Sequence, residues 1–113
     1  MKNKLEELLK LDESIYVDKK SLKGNFTKTN SIRINANIKE EELENFDFKS
    51  SLENKKYIII DMDASNEVHQ RKFLSIIKDK KYKSLSFDKL KIIVTSTDIN
   101  GISNEVLGLL VIL

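Results

Sequence analysis

The sequence predicts an α/β domain of three layers, in which helices cover both faces of a mostly parallel sheet. Two segments, Tyr57–Ile60 and Leu90–Thr95, are largely apolar, which is typical of strands buried on both faces. The segment between them, 66–80, has apolar residues at helical spacing. Strands that alternate with helices favour a parallel sheet, because each helix crosses over from one strand to the next.

The segments before Tyr57 predict a helix, two strands and a second helix. Leucines at helical spacing mark the first helix, and Ile or Ala at every second position marks the second strand. A Gly-Asn turn signal lies between the two strands, and an antiparallel pairing of these N-terminal strands is an alternative to parallel pairing. The four predicted ranges are 2–11, 14–18, 31–38 and 39–54.

The segments after Ile60 continue the alternation of helix and strand. The connection 81–90 is polar, but it contains Leu85 and Phe87, which are predicted to lie in the core. The predicted elements in this part are a helix over 66–80, a strand over 90–95 and a helix that starts at 103. For residues 108–113 the pattern leaves two alternatives. The helix continues, or the chain changes near Gly108 to a buried or edge strand over 109–113, because glycine disfavours a helix.

Composition is that of an ordinary globular domain, and it excludes several functions. With 113 residues the chain is expected to form one domain, 1–113, with a real core. The 20 basic and 18 acidic side chains leave a net charge of +2, which gives no electrostatic basis for binding nucleic acid. The absence of Cys excludes thiolate chemistry, and a single His excludes a His-based metal site. No signal peptide or membrane span is evident, so a cytoplasmic location without membrane contact is expected.

The tetrapeptide Ser-Asn-Glu-Val occurs twice, at 65–68 and at 103–106, and each copy follows a strand pattern. Serine is a favoured N-cap, and a glutamate two residues later faces the positive end of the helix dipole. At the second copy, Ile102 and Leu107 also have the spacing of a hydrophobic staple. The flanking sequences differ, and neither copy is Gly-rich. We therefore interpret both copies as helix starts capped by their serines, and not as a repeat or a phosphate site.

Two strand patterns end in polar residues, "YIIIDMDAS" and "LKIIVTSTD". They resemble the Walker B strand and the sensor 1 strand of AAA+ ATPases, with Thr97 or Asp98 at the sensor position. The helix and connection between them are similar to those of the MoxR-like and helper-activator branches. The N-terminal "KLEELLKLDESIYVD" could be the end of the first helix and the following strand. The resemblance implies that Asp61 stands on the magnesium side of the Walker B pair.

The sequence departs from that family at the residues that carry its chemistry. It contains no G-x-x-x-x-G-K-[ST] motif, so that nothing cradles the phosphates of a nucleotide. Met62 stands where the resemblance places the water-activating glutamate, and no arginine finger is evident. The resemblance therefore implies a degenerate or partial core without catalytic residues. The alternative is a fragment of a larger ATPase, which alone would use ATP and Mg²⁺ as cofactors.

Three carboxylates are the candidate site residues. Asp61, Asp63 and Asp98 follow strands of the predicted parallel sheet, where open α/β sheets usually bind ligands. They are candidates for binding a cofactor, and Asp61 is a candidate ligand of Mg²⁺. The alternative is structural, because carboxylates that end a strand also cap the next helix. His69 is interpreted as a packed or half-exposed side chain, and the lysine pair 19–20 as solvated surface.

A non-catalytic interaction or regulatory module is the function that these observations favour, with no cofactor expected. A second resemblance, of "NKKYIIIDMDASNEV" to STAS-type domains, implies a partner-switching role, although the Asp-Ser-Ser-Gly turn of that family is missing. The segment Val106–Leu113 is almost entirely apolar. It is expected to fill the core, or to bind a protein partner or a second copy of the chain.

Overall fold

A computed structural model describes residues 9–22 and 26–112, and most of the described strands form one sheet. In chain order the strands are β1 (Ile15–Tyr16), β2 (Ser31–Asn35), β3 (Tyr57–Asp61), β4 (Lys81–Tyr82), β5 (Leu85–Ser86), β6 (Lys91–Thr95) and β7 (Val111–Ile112). Five of them form a sheet in the order β2-β3-β6-β1-β7, and all neighbours in it are parallel. The predicted α/β class with a mostly parallel sheet is therefore confirmed. The antiparallel pair is formed by β4 and β5, whereas the N-terminal strands β1 and β2 both run parallel to their neighbours.

The described helices are all short. In chain order they are α1 (Lys19–Leu22), α2 (Glu40–Glu44), α3 (Phe48–Ser51), α4 (Glu67–Arg71), α5 (Leu74–Asp79) and α6 (Asn104–Leu107), and a 3-10 turn at Ile99–Gly101 precedes α6. Within residues 9–22 and 26–112, no helix has the length and apolar character needed to cross a membrane. The helix predicted over 2–11 lies mostly outside the described residues.

Two long predicted helices are each divided in two. The helix predicted over 39–54 forms as α2 and α3, because a polar side chain between them starts a new helix. Asp47 accepts a hydrogen bond from the amide of Ser50 at 3.1 Å and so caps α3. The helix predicted over 66–80 forms as α4 and α5, and it is interrupted at Phe73, whose backbone angles are φ −99° and ψ 0°.

Helices pack on both faces of the sheet, as the three-layer prediction requires. Side chains of α2, α3, α5 and α6 pack on one face, against strand residues that include Ile58 and Ile92. On the other face, Leu22 of α1 packs with Ile59 and Ile93. The connection from β1 to β2 runs across the sheet in one direction, and the later connections between its strands run in the other direction. Since crossovers between parallel strands are right-handed, α1 lies on the opposite face from the helices of the later connections. The chain therefore leaves the neighbouring strands β1 and β6 toward different faces, which forms a crevice at their carboxyl ends.

The last segment changes from helix to strand, which is one of the two alternatives that the sequence leaves open. Helix α6 ends at Leu107, Gly108 follows, and β7 pairs with β1 at the edge of the sheet. Val106 is fully buried, whereas Ile112 is 44% exposed. The segment therefore contributes to the core at its beginning and forms an edge strand of the described sheet at its end.

The polar connection before β6 keeps only one of its two large side chains in the core. Phe87 is buried, as predicted. The prediction for Leu85 is wrong, because this side chain is 39% exposed. Leu85 begins β5, which pairs with β4 alone and does not belong to the main sheet.

The repeated tetrapeptide starts two helices, but its cap residue differs between the two copies. Before α6 the cap is Ser103, as predicted, and its Oγ accepts a hydrogen bond from the amide of Val106 at 3.3 Å. Before α4 the cap is Asn66, whose side chain accepts from the amide of His69 at 3.0 Å. The prediction that Ser65 is a cap is therefore wrong.

The residue three positions after the cap decides this difference. His69 Nδ1 accepts a hydrogen bond from the amide of Asn66 at 3.2 Å, which completes a capping box. In the second copy, Leu107 stands three residues after Asn104 and has no side-chain acceptor. A capping box with Asn as the cap is therefore possible only in the first copy of the tetrapeptide. In the second copy the serine is the cap.

We expect the two caps to stabilise the fold by similar amounts. Asn66→Ala and Ser103→Ala should each lower the free energy of unfolding by about 1 kcal/mol, because each leaves a first-turn amide without its acceptor. Ser103→Asp should lower the free energy of unfolding by only about 0.3 kcal/mol, since Asp caps as well as Ser. Urea unfolding measures all three variants, with the exposed Ser75→Ala on α5 as the control. A Ser103→Asp variant as unstable as Ser103→Ala would contradict the capping role.

Candidate functional site

Side chains from three strand ends meet at the carboxyl edge of the sheet. The ammonium of Lys19, the first residue of α1, lies 2.8 Å from Oδ2 of Asp61 and 2.5 Å from Oδ2 of Asp63. Asp61 is almost buried, with 8% of its side chain exposed, whereas one third of each of the other two side chains is exposed. One lysine therefore bridges the two carboxylates that follow β3.

The turn after β3 brings the two carboxylates to the same side. Asp61 is the last residue of β3, and its Oδ1 accepts a hydrogen bond from the amide of Asp63 at 3.0 Å. Met62 between them is buried in the core cluster of the opposite face. Alternation along an extended chain points residues two apart in the same direction, so Asp63 returns to the side of Asp61.

Thr97 connects this turn to the end of β6. Its amide donates to Asp63 Oδ1 at 2.8 Å, and its hydroxyl donates to Asp63 Oδ2 at 2.7 Å. Asp63 therefore accepts from Lys19 and from two groups of Thr97, and both of its oxygens are engaged. The arrangement ties the segments after β1, β3 and β6 together.

The charges in this network stabilise one another. The hydrogen bond from Lys19, followed by those from Thr97, lowers the pKa of Asp63 from 3.8 to about 2. The hydrogen bond to Asp61, followed by that to Asp63, raises the pKa of Lys19 above its usual 10.5. At neutral pH Lys19 is therefore an ammonium and Asp63 a carboxylate.

The structure separates the third candidate carboxylate from the other two. Asp98 begins the 3-10 turn at Ile99–Gly101, and its Oδ1 accepts from the amide of Asn100 at 2.9 Å. No contact in the described part of the chain joins Asp98 to Asp61 or Asp63. Of the two residues at the sensor-like position, Thr97 is the one that contacts the acidic turn.

Lys19 is the residue that sequence reasoning missed. It was interpreted as solvated surface because it belongs to a Lys-Lys pair, but its ammonium is bound to two carboxylates. The available signal is its position directly after the predicted strand 14–18, since Asp61 directly follows the predicted strand 57–60. In a parallel sheet such positions lie at the same edge. Only the strand order, which brings β1 and β3 to either side of β6, shows that they meet.

Thr95 adds a buried hydroxyl beside the acidic turn. It pairs with Asp61 across β6 and β3, so both side chains lie on the same face of the sheet. Thr95 is fully buried, and its Oγ1 has no hydrogen-bond partner among the described residues. The polar edge therefore has one donor that the described contacts do not use.

In the described part of the chain, this edge of the sheet has neither a phosphate loop nor a cluster of metal ligands. Only two residues, Val17 and Asp18, separate β1 from α1, and they leave no room for the loop of eight residues in G-x-x-x-x-G-K-[ST]. Among residues 9–22 and 26–112, no group of three or more His, Cys, Asp or Glu side chains is placed to hold a metal ion. The oxygens of Asp61 and Asp63 are occupied by the donors already described.

A shallow groove lies beside the network at the ends of β1, β6 and β7. Its volume is about 400 Å³, and it is lined by Tyr16, Asp18, Thr97, Asp98, Ile99 and Ile112. The hydroxyl of Tyr16 contacts Ser96 Oγ at 3.1 Å, which fixes the ring at the wall of the groove. Thr97 belongs both to this groove and to the network.

Comparisons with known proteins found no match to the chain among family models, curated proteins or solved structures.

Proposed function

We propose that this protein is a non-catalytic interaction or regulatory module, with an AAA+-like core that lacks nucleotide hydrolysis. The observation that carries the proposal is the bridge from Lys19 to Asp61 and Asp63. An ATPase of this type needs the acidic end of β3 for a magnesium ion. In this chain the same carboxylates hold an ammonium of the protein itself.

The bridge disfavours the binding of a divalent cation by Asp61 and Asp63, because Lys19 already occupies both carboxylates. A hard cation such as Mg²⁺ needs several free oxygen ligands in octahedral geometry. Asp63 Oδ2 already accepts from Lys19 and from Thr97, and Asp61 Oδ1 accepts from the amide of Asp63. Binding a cation would require both carboxylates to release these donors, and Lys19 would remain as a nearby positive charge.

The arrangement of strands supports the AAA+-like part of the proposal. The Walker B-like strand β3 and the sensor 1-like strand β6 are adjacent and parallel, and both end beside the acidic turn. A STAS-like partner-switching role has less support, because such domains begin with antiparallel strands. An interaction role is also supported by β7, since Ile112 is exposed on an open edge within the segment Val106–Leu113.

We expect no ATP turnover above a buffer blank, and no tight binding of Mg²⁺ with ATP. At about 5 mM ATP, a Kd near 50 μM would raise the free energy of unfolding by about 2.7 kcal/mol. Thermal unfolding with and without the nucleotide should therefore show no shift. Asp61→Asn is the control for turnover, because it removes the charge on the magnesium side.

Two outcomes would change this conclusion. Turnover by the chain alone that Asp61→Asn abolishes would contradict the proposal. Turnover that appears only after a second polypeptide with a phosphate loop is added would favour the alternative, a part of a larger ATPase.

A further inference from the structure

The structure points to the outer edge of β2 as a docking site for an extended acidic segment of a partner protein, which would add a strand to the sheet. Strand β2 is an edge strand of the described sheet and pairs only with β3. It has five residues and no proline, so its backbone can pair with another strand. The inference names a partner surface for the proposed interaction module, and it rests on that proposed function.

The direction of the backbone groups on β2 follows from its pairing with β3. In a parallel ladder, alternate residues of one strand bond to the neighbour and the others point away. The amide of Ala36 donates to Asp61 O at 2.8 Å, so Ile34 and Ala36 belong to the set that faces β3. Ser31, Arg33 and Asn35 therefore direct their backbone groups to the outer side. The amide of Ser31 donates to Thr27 O at 3.0 Å, and the carbonyl of Asn35 accepts from the amide of Ile38 at 3.0 Å. Four outward groups remain, which are Ser31 C=O, Arg33 N–H, Arg33 C=O and Asn35 N–H.

A groove with charged side chains in its walls lies beside this edge. Its volume is about 420 Å³, and its walls include Arg33, Asn35, Ile38, Lys39, Glu42 and Phe46. Two of these side chains are cationic and one is anionic, and within the described residues no ion pair involves any of the three. The glutamates of α2 belong to a helix that packs on the face of Ile34. Carboxylates that the incoming strand places on the face of Arg33 would therefore complement the guanidinium.

The two sides of the edge differ in polarity. Ile34, Ile38 and Phe46 pack with the large core cluster on one face. Arg33 and Asn35 alternate with Ile34 and are exposed on the other face. An incoming strand with apolar and acidic residues in alternation would place each kind beside its counterpart. The site is also held in shape, because the ammonium of Lys72 donates to the carbonyl of Ile38.

Charge disfavours a second copy of β2 as the occupant. Two antiparallel β2 strands centred on Arg33 would place two guanidinium groups opposite each other, and like charges in that position are destabilising. An acidic segment of a different protein avoids this repulsion, because it places carboxylates and not guanidinium groups opposite Arg33. The partner is therefore an extended polypeptide segment with carboxylates at alternate positions.

Three synthetic peptides test the inference on the full chain. The first is acetyl-Thr-Glu-Val-Glu-Val-Thr-amide, the second has Lys in place of Glu, and the third is the acidic peptide with an N-methyl group on the amide of every residue. We expect the acidic peptide to bind at least tenfold more tightly than the other two. The lysine peptide has the wrong charge, and the N-methylated peptide cannot donate to the Arg33 carbonyl. Two-dimensional NMR should show shifts and slower hydrogen exchange at the amides of Arg33 and Asn35.

A charge reversal provides the matched pair of variants. Arg33→Glu should reverse the preference, so that the lysine peptide binds at least tenfold more tightly than the acidic one. Lys89→Glu makes the same change of charge at an exposed position in the connection before β6, and it should leave binding unchanged within twofold. The comparison of the plain and N-methylated peptides uses the unmodified protein, so it remains decisive if Arg33→Glu does not fold.

Several results would overturn the inference: no perturbation at millimolar peptide, equal binding of the N-methylated peptide, or shifts at Val111 and Ile112 instead of β2. These results are distinguishable from a failure of the proposed function. Without peptide binding and without ATP turnover, the module remains non-catalytic and its partner binds another surface. ATP turnover by the chain would overturn the proposed function whatever the peptides do.

Discussion

Replacing Gln70 by alanine is expected to lower the free energy of unfolding by about 3 kcal/mol, one of the two largest effects that we expect in this protein. Gln70 lies on α4 and is 1% exposed. Its amide nitrogen donates to the carbonyl of Gly101 at 2.8 Å and to Ser65 Oγ at 3.1 Å. Its amide oxygen accepts from the amide of Ser103 at 2.8 Å. The side chain thus joins the helix after β3 to the segment after β6.

The expected loss has two parts that separate variants can distinguish. Gln70→Ala removes three hydrogen bonds and leaves a cavity, whereas Gln70→Met removes the bonds but keeps most of the volume. We therefore expect Gln70→Met to lose about half as much stability as Gln70→Ala. Urea unfolding at neutral pH measures both, and the matched control is Val68→Ala on the same helix, because Val68 is 69% exposed.

The Gln70 network also predicts where the structure should loosen. Hydrogen exchange at the Ser103 amide should become faster in both Gln70 variants, because this amide loses its acceptor. A loss below 1 kcal/mol for Gln70→Ala, or a loss equal to that of Val68→Ala, would show that the bridge does not stabilise the fold.

The sequence was most informative where a pattern is local. The predicted strands at 57–60 and 90–95 form as Tyr57–Asp61 and Lys91–Thr95, because continuous apolar runs define a strand buried on both faces. After Gly108 the pattern allows either a helix or a strand, and the structure has the strand, since glycine weakens the helix at that point. Helix length was less predictable, because a cap such as Asp47 competes with an otherwise helical pattern.

The site depended on facts that no local pattern contains. Asp61 and Asp63 were identified because they follow a strand, but the bridge to Lys19 requires the order of the strands. Lys91 is a similar case, because it lies within a predicted strand and is 7% exposed. Its ammonium donates to the carbonyls of Leu11 and Glu13, and burial lowers its pKa. Neither contact between distant segments can be predicted without the fold.

Replacing Lys19 by methionine is expected to lower the free energy of unfolding by about 2–3 kcal/mol at pH 7, because it leaves Asp61 and Asp63 without their shared cation. Removing one partner of a fully buried ion pair costs about 3–5 kcal/mol, and the lower figure here allows for the partial exposure of Lys19 and Asp63. The matched control is Lys20→Met, which makes the same change one residue away at an exposed position. It should change the stability by less than about 0.5 kcal/mol.

The dependence of stability on pH should differ between the unmodified protein and the Lys19→Met variant. In the unmodified protein the pKa of Asp63 is lowered from 3.8 to about 2, so its contribution to stability is complete above about pH 4 and is lost as the pH falls toward 2. The pKa of Lys19 is raised, so its contribution is present below pH 10.5 and is lost only above that value. The unmodified protein should therefore show nearly constant stabilisation from this network between about pH 5 and 9.

In the Lys19→Met variant the two carboxylates share a site without a cation, so that protonating one of them favours the folded state. The stability of the variant should therefore rise, relative to the unmodified protein, as the pH falls from 7 to 4. Urea unfolding at pH 7, 5.5 and 4 measures this difference, and adding Asp61→Asn to the variant should recover part of the loss at pH 7, since it removes the more buried charge. A Lys19→Met variant as stable as Lys20→Met, or a difference that grows toward pH 4, would show that the ammonium does not neutralise the pair.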